Sequence, residues 1–342
     1  MRKLLNTLYV STQGAYLFKD GETLAVRIEK EVRLRLPLHT LQGVVCFGNV
    51  ASSPFLLGAC AEHGITVSYL TEHGRFLARV EGPVTGNILL RRAQFRVSES
   101  PSAAASVAKM MLLGKLANAR LVLLRAARER PGLDGSPARP AADALVGSIR
   151  SLEQAETLER LRGIEGDAAR EYFGAFDSLI LENKDAFFFK KRSRRPPLDN
   201  VNSLLSFLYT LLVHDCRSAL ESVGLDPQSG FLHALRPGRP ALALDLMEEL
   251  RPMVADRLAL SLINRRQVAP EFFQASESGA ILMTDTGRKE VLTAWQKRKQ
   301  EEIRHPFLDE SIPIGMIPYT QALLLARHLR GDLDVYPPFV WR

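Results

Sequence analysis

Three short segments hold the residues best suited to chemistry: Gly163-Ile164-Glu165-Gly166, Gly230-Phe231-Leu232-His233 and Leu244-Asp245-Leu246-Met247-Glu248-Glu249. Together they offer carboxylates and an imidazole to one divalent ion. Gly163 and Gly166 remove side-chain bulk around Glu165, so a large polyanion could approach a metal held there. A glutamate at an apparent helix start also has a simpler use, as a solvated partner of the helix dipole. Asp245 and Glu248 are three residues apart and project from one helix face, with Arg251 three further on. That spacing suits a solvated acidic face bridged by Arg251 as well as a ligand pair. Leu242, Leu244, Leu246 and Met247 crowd the same turn, however, so at least one carboxylate should be partly buried and need a partner.

His233 falls in an irregular stretch, Gly230 to Pro240, shaped by Gly230, Pro237, Gly238 and Pro240. A lone loop histidine can be a hydrogen-bonded surface residue. Arg236 and Arg239 add positive charge, so this loop could also hold phosphate. Glu165, His233 and Glu248 would supply two hard oxygens and one borderline nitrogen. That set suits Mg²⁺ or Mn²⁺ with open, water-filled positions better than zinc or calcium. An ion so held polarises a phosphate ester and activates an attacking water or 3′-hydroxyl without a covalent protein intermediate.

The chain has 45 Lys+Arg against 38 Asp+Glu, a net +7, which favours an anionic partner where it is clustered. The densest basic run is Phe187 to Pro197, with Lys190, Lys191, Arg192, Arg194 and Arg195. Crowded like charges are relieved by phosphates, although a solvated loop would read the same way. Arg91, Arg92 and Arg96 form a second patch. Gly114-Lys115 lacks the flanking residues of a phosphate-binding loop, so nucleotide use has no support.

An odd set of cysteines, Cys46, Cys60 and Cys216, with no Cys-x-x-Cys spacing, argues against a disulfide framework and a structural zinc site. A reducing cytoplasm fits best. The apolar start is broken by Asn6, Ser11, Thr12 and Gln13, unlike a signal peptide or membrane span.

At 342 residues and 46% hydrophobic content, two cores are expected. From Leu4 to about Val84, short apolar runs between turn residues predict strands, with Lys19-Asp20-Gly21-Glu22 as a hairpin turn. One helix interrupts them, capped by Ser52 or Ser53, opened by Pro54 and ended by Gly64. Helical periodicity then predicts helices over 103–130, 141–161, 165–181 and 200–223, and another from near Ala241 that Pro252 kinks or ends. A loop is expected over 131–140, a small strand excursion over 279–284, and helices over 288–304 and 318–329. The fold class is thus α+β: a β-rich domain over 1–90 followed by a larger α-helical domain over 91–342, which holds the candidate catalytic and DNA-binding residues.

The three opening segments, in this order, resemble the CRISPR-associated spacer-acquisition integrase, the "Cas one" endonuclease. The resemblance extends through Gly86-Asn87-Ile88-Leu89-Leu90-Arg91, Gly114-Lys115-Leu116-Ala117-Asn118-Ala119-Arg120 and Asn202-Ser203-Leu204-Leu205-Ser206, most of the chain. It implies that Glu165, His233 and Glu248 hold the metal, with Asp245 as an auxiliary acid. The family often has aspartate where this chain has Glu248, which leaves Asp245 and Glu249 as candidates to share ligation. The resemblance also implies a homodimer joined through the N-terminal domains, assembly with the small ferredoxin-like "Cas two" protein, and insertion of spacer DNA into the CRISPR array. Tyr209 sits where an aromatic could face the site or the core. A structure-specific repair nuclease and a non-catalytic DNA-binding scaffold are the rival functions.

Overall fold

The computed structural model describes residues 6–72, 76–80, 82, 88–128 and 136–341. Strands β1 (Asn6–Val10), β2 (Tyr16–Asp20), β3 (Thr23–Ile28), β4 (Glu31–Pro37), β5 (Leu41–Phe47) and β6 (Ala51–Ser52) precede helix α1 (Pro54–Glu62), and β7 (Thr66–Leu70) and β8 (Phe76–Val80) follow it. They form two four-stranded sheets, ordered β1-β5-β7-β8 and β4-β3-β2-β6. The β2–β3 hairpin turns as expected, with Gly21 at φ +56°, where a side chain would be strained. Ser53 caps α1 by accepting from the Leu56 amide at 3.2 Å, and Pro54 opens the first turn. Leu17, Leu24, Val44, Leu56 and Val67 pack with Cys46 and Cys60 into one apolar core. All three cysteines are free and buried.

The helical region comprises α2 (Ile88–Glu99), α3 (Pro101–Arg128), α4 (Ala138–Glu153), α5 (Leu158–Phe176), α6 (Asn200–Ser222), α7 (Ala241–Glu248), α8 (Arg257–Asn264), α9 (Asp285–Gln300) and α10 (Ile317–Leu329). Between α7 and α8 the chain runs as a π-helical turn, Arg251–Asp256, where Pro252 was expected to disturb the helix. Two small hairpins complete it, β9 (Phe273–Ala275) with β10 (Ile281–Met283) and β11 (Glu302–Arg304) with β12 (Ser311–Pro313).

Several boundaries differ from expectation. α5 begins at Leu158, because Thr157 accepts from the Arg160 amide and caps it there; Glu165 therefore lies two turns inside the helix, not at its start. α4 takes in Arg139 and Pro140, where a loop was expected, since proline is tolerated in a first turn. α9 starts three residues early, where Thr284 caps it by accepting from the Gly287 amide, and ends at Gln300 because 302–304 pair as a strand. α2 carried no helix expectation; its buried side is only Leu90 and Gln94, too thin an apolar stripe to stand out. Residues 131–135 of the expected loop, and Gly86-Asn87, lie outside the described residues.

The main core is helical but reaches into the first region through Val45, Phe47 and Leu70. Phe47 meets Phe207 of α6 with ring centroids 6.1 Å apart, and Gln296 of α9 donates to the Thr7 carbonyl at 2.9 Å. Among the described residues no helix is long and apolar enough to cross a membrane.

Candidate active site

The site gathers where α3, α5, α7 and the loop before α7 meet. A side chain at Gly114 would put its Cβ 2.9 Å from Glu249 Cβ and 3.2 Å from Pro338 Cβ, so α3 approaches α7 more closely than any other residue allows. The next residue, Lys115, thereby reaches both neighbouring helices. Its ammonium donates to Glu165 Oε1 of α5 and lies 2.8 Å from Glu248 Oε2 of α7.

Around Glu165 the helix face is open. A Cβ at Gly163 or Gly166 would meet nothing within 4 Å, so among the described residues nothing requires glycine there. Each costs about 1 kcal/mol of helix stability relative to alanine.

Asp245 is fully buried, and both its oxygens are occupied. Oδ2 accepts from the amides of Phe231 at 2.6 Å and Leu232 at 2.9 Å. Oδ1 accepts from the His233 amide at 3.0 Å and from His233 Nδ1 at 2.6 Å. Gly230 makes this possible, since a Cβ there would sit 2.6 Å from Asp245 Oδ2. With Nδ1 committed, Nε2 is left to face Glu248, whose Oε1 lies 3.7 Å away. Arg162, one turn before Glu165, donates from Nε at 2.9 Å and from a terminal nitrogen at 2.7 Å to the Leu232 carbonyl, tying the histidine loop to α5.

Glu248 has a side chain only 3% exposed. Burial alone would raise its pKa, but Arg251, Lys115 and His233 outweigh it and hold the carboxyl at about 2. Arg251 lies 2.8 Å from Oε1. The bridge foreseen from i,i+3 spacing therefore exists, but inside the protein and not on a solvated face. Oε2 is buried and has no aligned hydrogen-bond donor even though Lys115 is close.

Glu249 is not a ligand candidate. It points away from Glu248, accepting from Phe339 N at 2.7 Å, from the Tyr336 hydroxyl and from Gln321. Burial raises its pKa to about 7 despite those donors. Asp245 is likewise turned to the loop, so it orients His233 and does not share the Glu165–Glu248 opening. Tyr209 faces the site: its hydroxyl donates to Asp256 Oδ1 at 2.7 Å, and it lines a small cavity with Lys115, Glu165, Tyr172, Arg194 and Arg251. Burial raises Asp256 to about 6 against the opposing pull of the Tyr209 and Tyr172 hydroxyls.

The basic residues divide. Lys190, Lys191, Arg194 and Arg195 are exposed, and Arg194 borders that cavity. Arg192, expected beside them, is turned inward: it donates to Asn202 Oδ1 at 2.7 Å and to Ser206 Oγ at 3.1 Å, and its guanidinium stacks over Tyr209. An arginine among four other cations satisfies α6 here because Asn202 and Ser206, one turn apart, present acceptors under it. Arg236 and Arg92 are exposed and Arg239 is half-buried. Arg91 donates to the Gly224 carbonyl at 3.4 Å.

Glu165, His233 and Glu248 therefore converge as expected, and Lys115, Arg162 and Asp256 join them unforeseen. Among the described residues no group of three His, Cys, Asp or Glu side chains stands ready as a metal cluster, since Lys115 already bridges the two glutamates. The donor chemistry nonetheless fits a hard divalent ion: the carboxylates of Glu165 and Glu248 and an oriented imidazole nitrogen.

A strand-rich N-terminal region joined to a helical lobe is the architecture of CRISPR-associated Cas1 structures. Residues 8–297 match the family described as CRISPR associated protein Cas1. The CRISPR-associated endonuclease Cas1 2 of Rhodospirillum rubrum is 57% identical and that named Cas1 1 of Chlorobaculum tepidum 55% identical, each match covering 100% of both chains. A casposase bound to its integration product superposes with a TM-score of 0.85 at 21% identity, over 98% of this chain and 94% of that one. A Cas6-RT-Cas1–Cas2 complex gives 0.83 at 24% identity, over 100% of this chain and 36% of that one. The chain belongs to the Cas1 family.

Proposed function

We propose that this chain is a divalent-metal-dependent DNA endonuclease and integrase that inserts spacer DNA into the CRISPR array, a DNA 3′-hydroxyl attacking a phosphodiester of the repeat. The observation that carries the proposal is the arrangement of His233, its Nδ1 held by Asp245 and its Nε2 turned to Glu248. Glu165, His233 and Glu248 would hold Mg²⁺ or Mn²⁺, which supplies polarisation of the phosphodiester and activation of the attacking hydroxyl. Asp245 fixes the imidazole tautomer and Arg162 fixes its loop. Lys190, Lys191, Arg194 and Arg195, with Arg236, Arg239, Arg91 and Arg92, would contact the DNA backbone. One phosphodiester replaces another, so the reaction needs no nucleotide fuel.

The names of the two relatives support nuclease chemistry, and the casposase with its integration product supports strand transfer. The Cas1–Cas2 complex supports a Cas2 partner, which would be the small ferredoxin-like protein. Two coordinated insertions need two sites, so a homodimer is part of the proposal, joined through residues 1–90 as a domain distinct from 91–342. Light scattering tests it: a monomer at micromolar concentration would refute the dimer. The catalytic proposal is tested with purified Glu165→Gln and half-site DNA in Mn²⁺. Strand transfer should fall more than ~100-fold, beyond the usual effect of residues behind the ligands. Activity within a few-fold of wild type would show the site to be misassigned, and hydrolysis without half-site product would favour a repair nuclease.

A further inference from the structure

We propose that Lys115 is the resident counter-cation of the active site, an internal ammonium that neutralises Glu165 and Glu248 until a divalent ion takes those carboxylates from it. The inference rests on the metal site proposed above and assigns a role to a residue outside the ligand set.

Its basis is position. Lys115 donates to Glu165 Oε1 and lies 2.8 Å from Glu248 Oε2, so one nitrogen bridges the two carboxylates that would bind an ion. The lysine side chain is 13% exposed and comes from a third helix, admitted only because Gly114 lets α3 pack against α7. A lysine held this way costs helix stability at Gly114 and side-chain entropy, with no salt bridge to solvent-exposed groups in return. What it offsets is the cost of burying Glu248 beside Glu165, since two carboxylates sharing a buried site repel unless a cation stands between them.

The charges facing this opening are already matched. Lys115 and Arg251 balance Glu165 and Glu248 one for one, and Arg194 and Asp256 add one charge of each sign to the adjoining cavity. A divalent ion added with Lys115 in place would leave two surplus positive charges in a confined space. Ion entry therefore requires the ammonium to release its carboxylates, and the freed ammonium remains within the site as a cation that a phosphodiester can offset. Lysine suits this exchange better than arginine, because its compact ammonium forms no fixed bidentate fork with a carboxylate and is held by point charge.

The test measures binding, not turnover. Full-length wild type, Lys115→Met and Glu165→Gln are titrated with Mn²⁺ by calorimetry, and their melting is followed in chelator and in Mn²⁺. Lys115→Met should melt lower than wild type in chelator, with Arg251 alone left to offset the Glu165 and Glu248 carboxylates, yet bind Mn²⁺ about tenfold tighter. A merely structural lysine would lower melting and weaken binding together, and that result, or unchanged affinity, would overturn the inference. Should Lys115→Met not fold, the wild type carries the test alone: amine-specific labelling read by mass spectrometry should modify Lys115 several-fold faster with Mn²⁺ than in chelator, other lysines being unchanged. Equal labelling would overturn it. Mn²⁺ binding by wild type that Glu165→Gln does not weaken would instead remove the metal site itself, and this inference with it.

Discussion

His233 Nδ1 lies 2.6 Å from Asp245 Oδ1, and the same carboxylate accepts three successive amides, those of Phe231, Leu232 and His233. One buried aspartate thus builds the loop and aims the imidazole. Asp245→Asn replaces an acceptor by a donor where four donors converge. Cleavage should fall ~10- to 100-fold, the usual cost of losing a partner behind a metal ligand. The melting temperature should fall too. His233→Ala and Glu248→Gln should each cost more activity than Asp245→Asn; side-by-side assays in which Asp245→Asn is the most damaging would reverse the assigned roles.

Arg162 joins α5 to the histidine loop through two hydrogen bonds to one carbonyl, that of Leu232. Arg162→Ala should leave the ligands intact but loosen their relative placement. We expect roughly tenfold slower strand transfer and a stability loss of about 1 to 3 kcal/mol, as for hydrogen bonds made by a charged group. Urea denaturation alongside the cleavage assay checks both; unaltered turnover would show that the exposed Arg162 does not help place the ligands.

The exposed and inward parts of the basic loop should separate in a salt titration. Replacing Lys190, Lys191, Arg194 and Arg195 by Gln should flatten the plot of log affinity for duplex DNA against log salt by about 0.9 for each phosphate no longer neutralised. Arg192→Gln should instead lower the melting temperature, because it breaks the bonds to Asn202 and Ser206. An unchanged slope in the fourfold variant would return the loop to a solvated one.

Glu249 gives a pH dependence of defined sign. Burial raises its pKa from 4.5 to about 7, so the folded protein holds a proton that the unfolded chain has released between those values. Stability is complete below the unfolded value and falls as pH rises through about 7, by roughly 3 kcal/mol in all. Glu249→Gln cannot titrate and should lose that portion of the slope between pH 5 and 8. Urea midpoints in chelator across this range measure it, and parallel curves for the two proteins would contradict the assignment.

The sequence by itself determined the order of strands before helices, the Asp20-Gly21 turn, a serine cap at position 52 or 53 and the span of α6, each from local signals: turn chemistry, caps and apolar periodicity. Family resemblance, not local pattern, singled out Glu165, His233 and Glu248 together. Tertiary structure decided the rest. Adjacent residues on a helix point about 100° apart, so only the packing of α7 shows that Glu248 faces the site while Glu249 faces the C-terminal segment at Tyr336 and Phe339. Lys115 is fifty positions from Glu165, and no local pattern joins them; Gly114 marks the close approach, but glycine in a helix has many causes. Arg192 reads as one more cation in a basic run until Asn202 and Ser206 are seen beneath it. Local sequence sets which surfaces an element offers, and packing against distant elements sets which of them is turned inward.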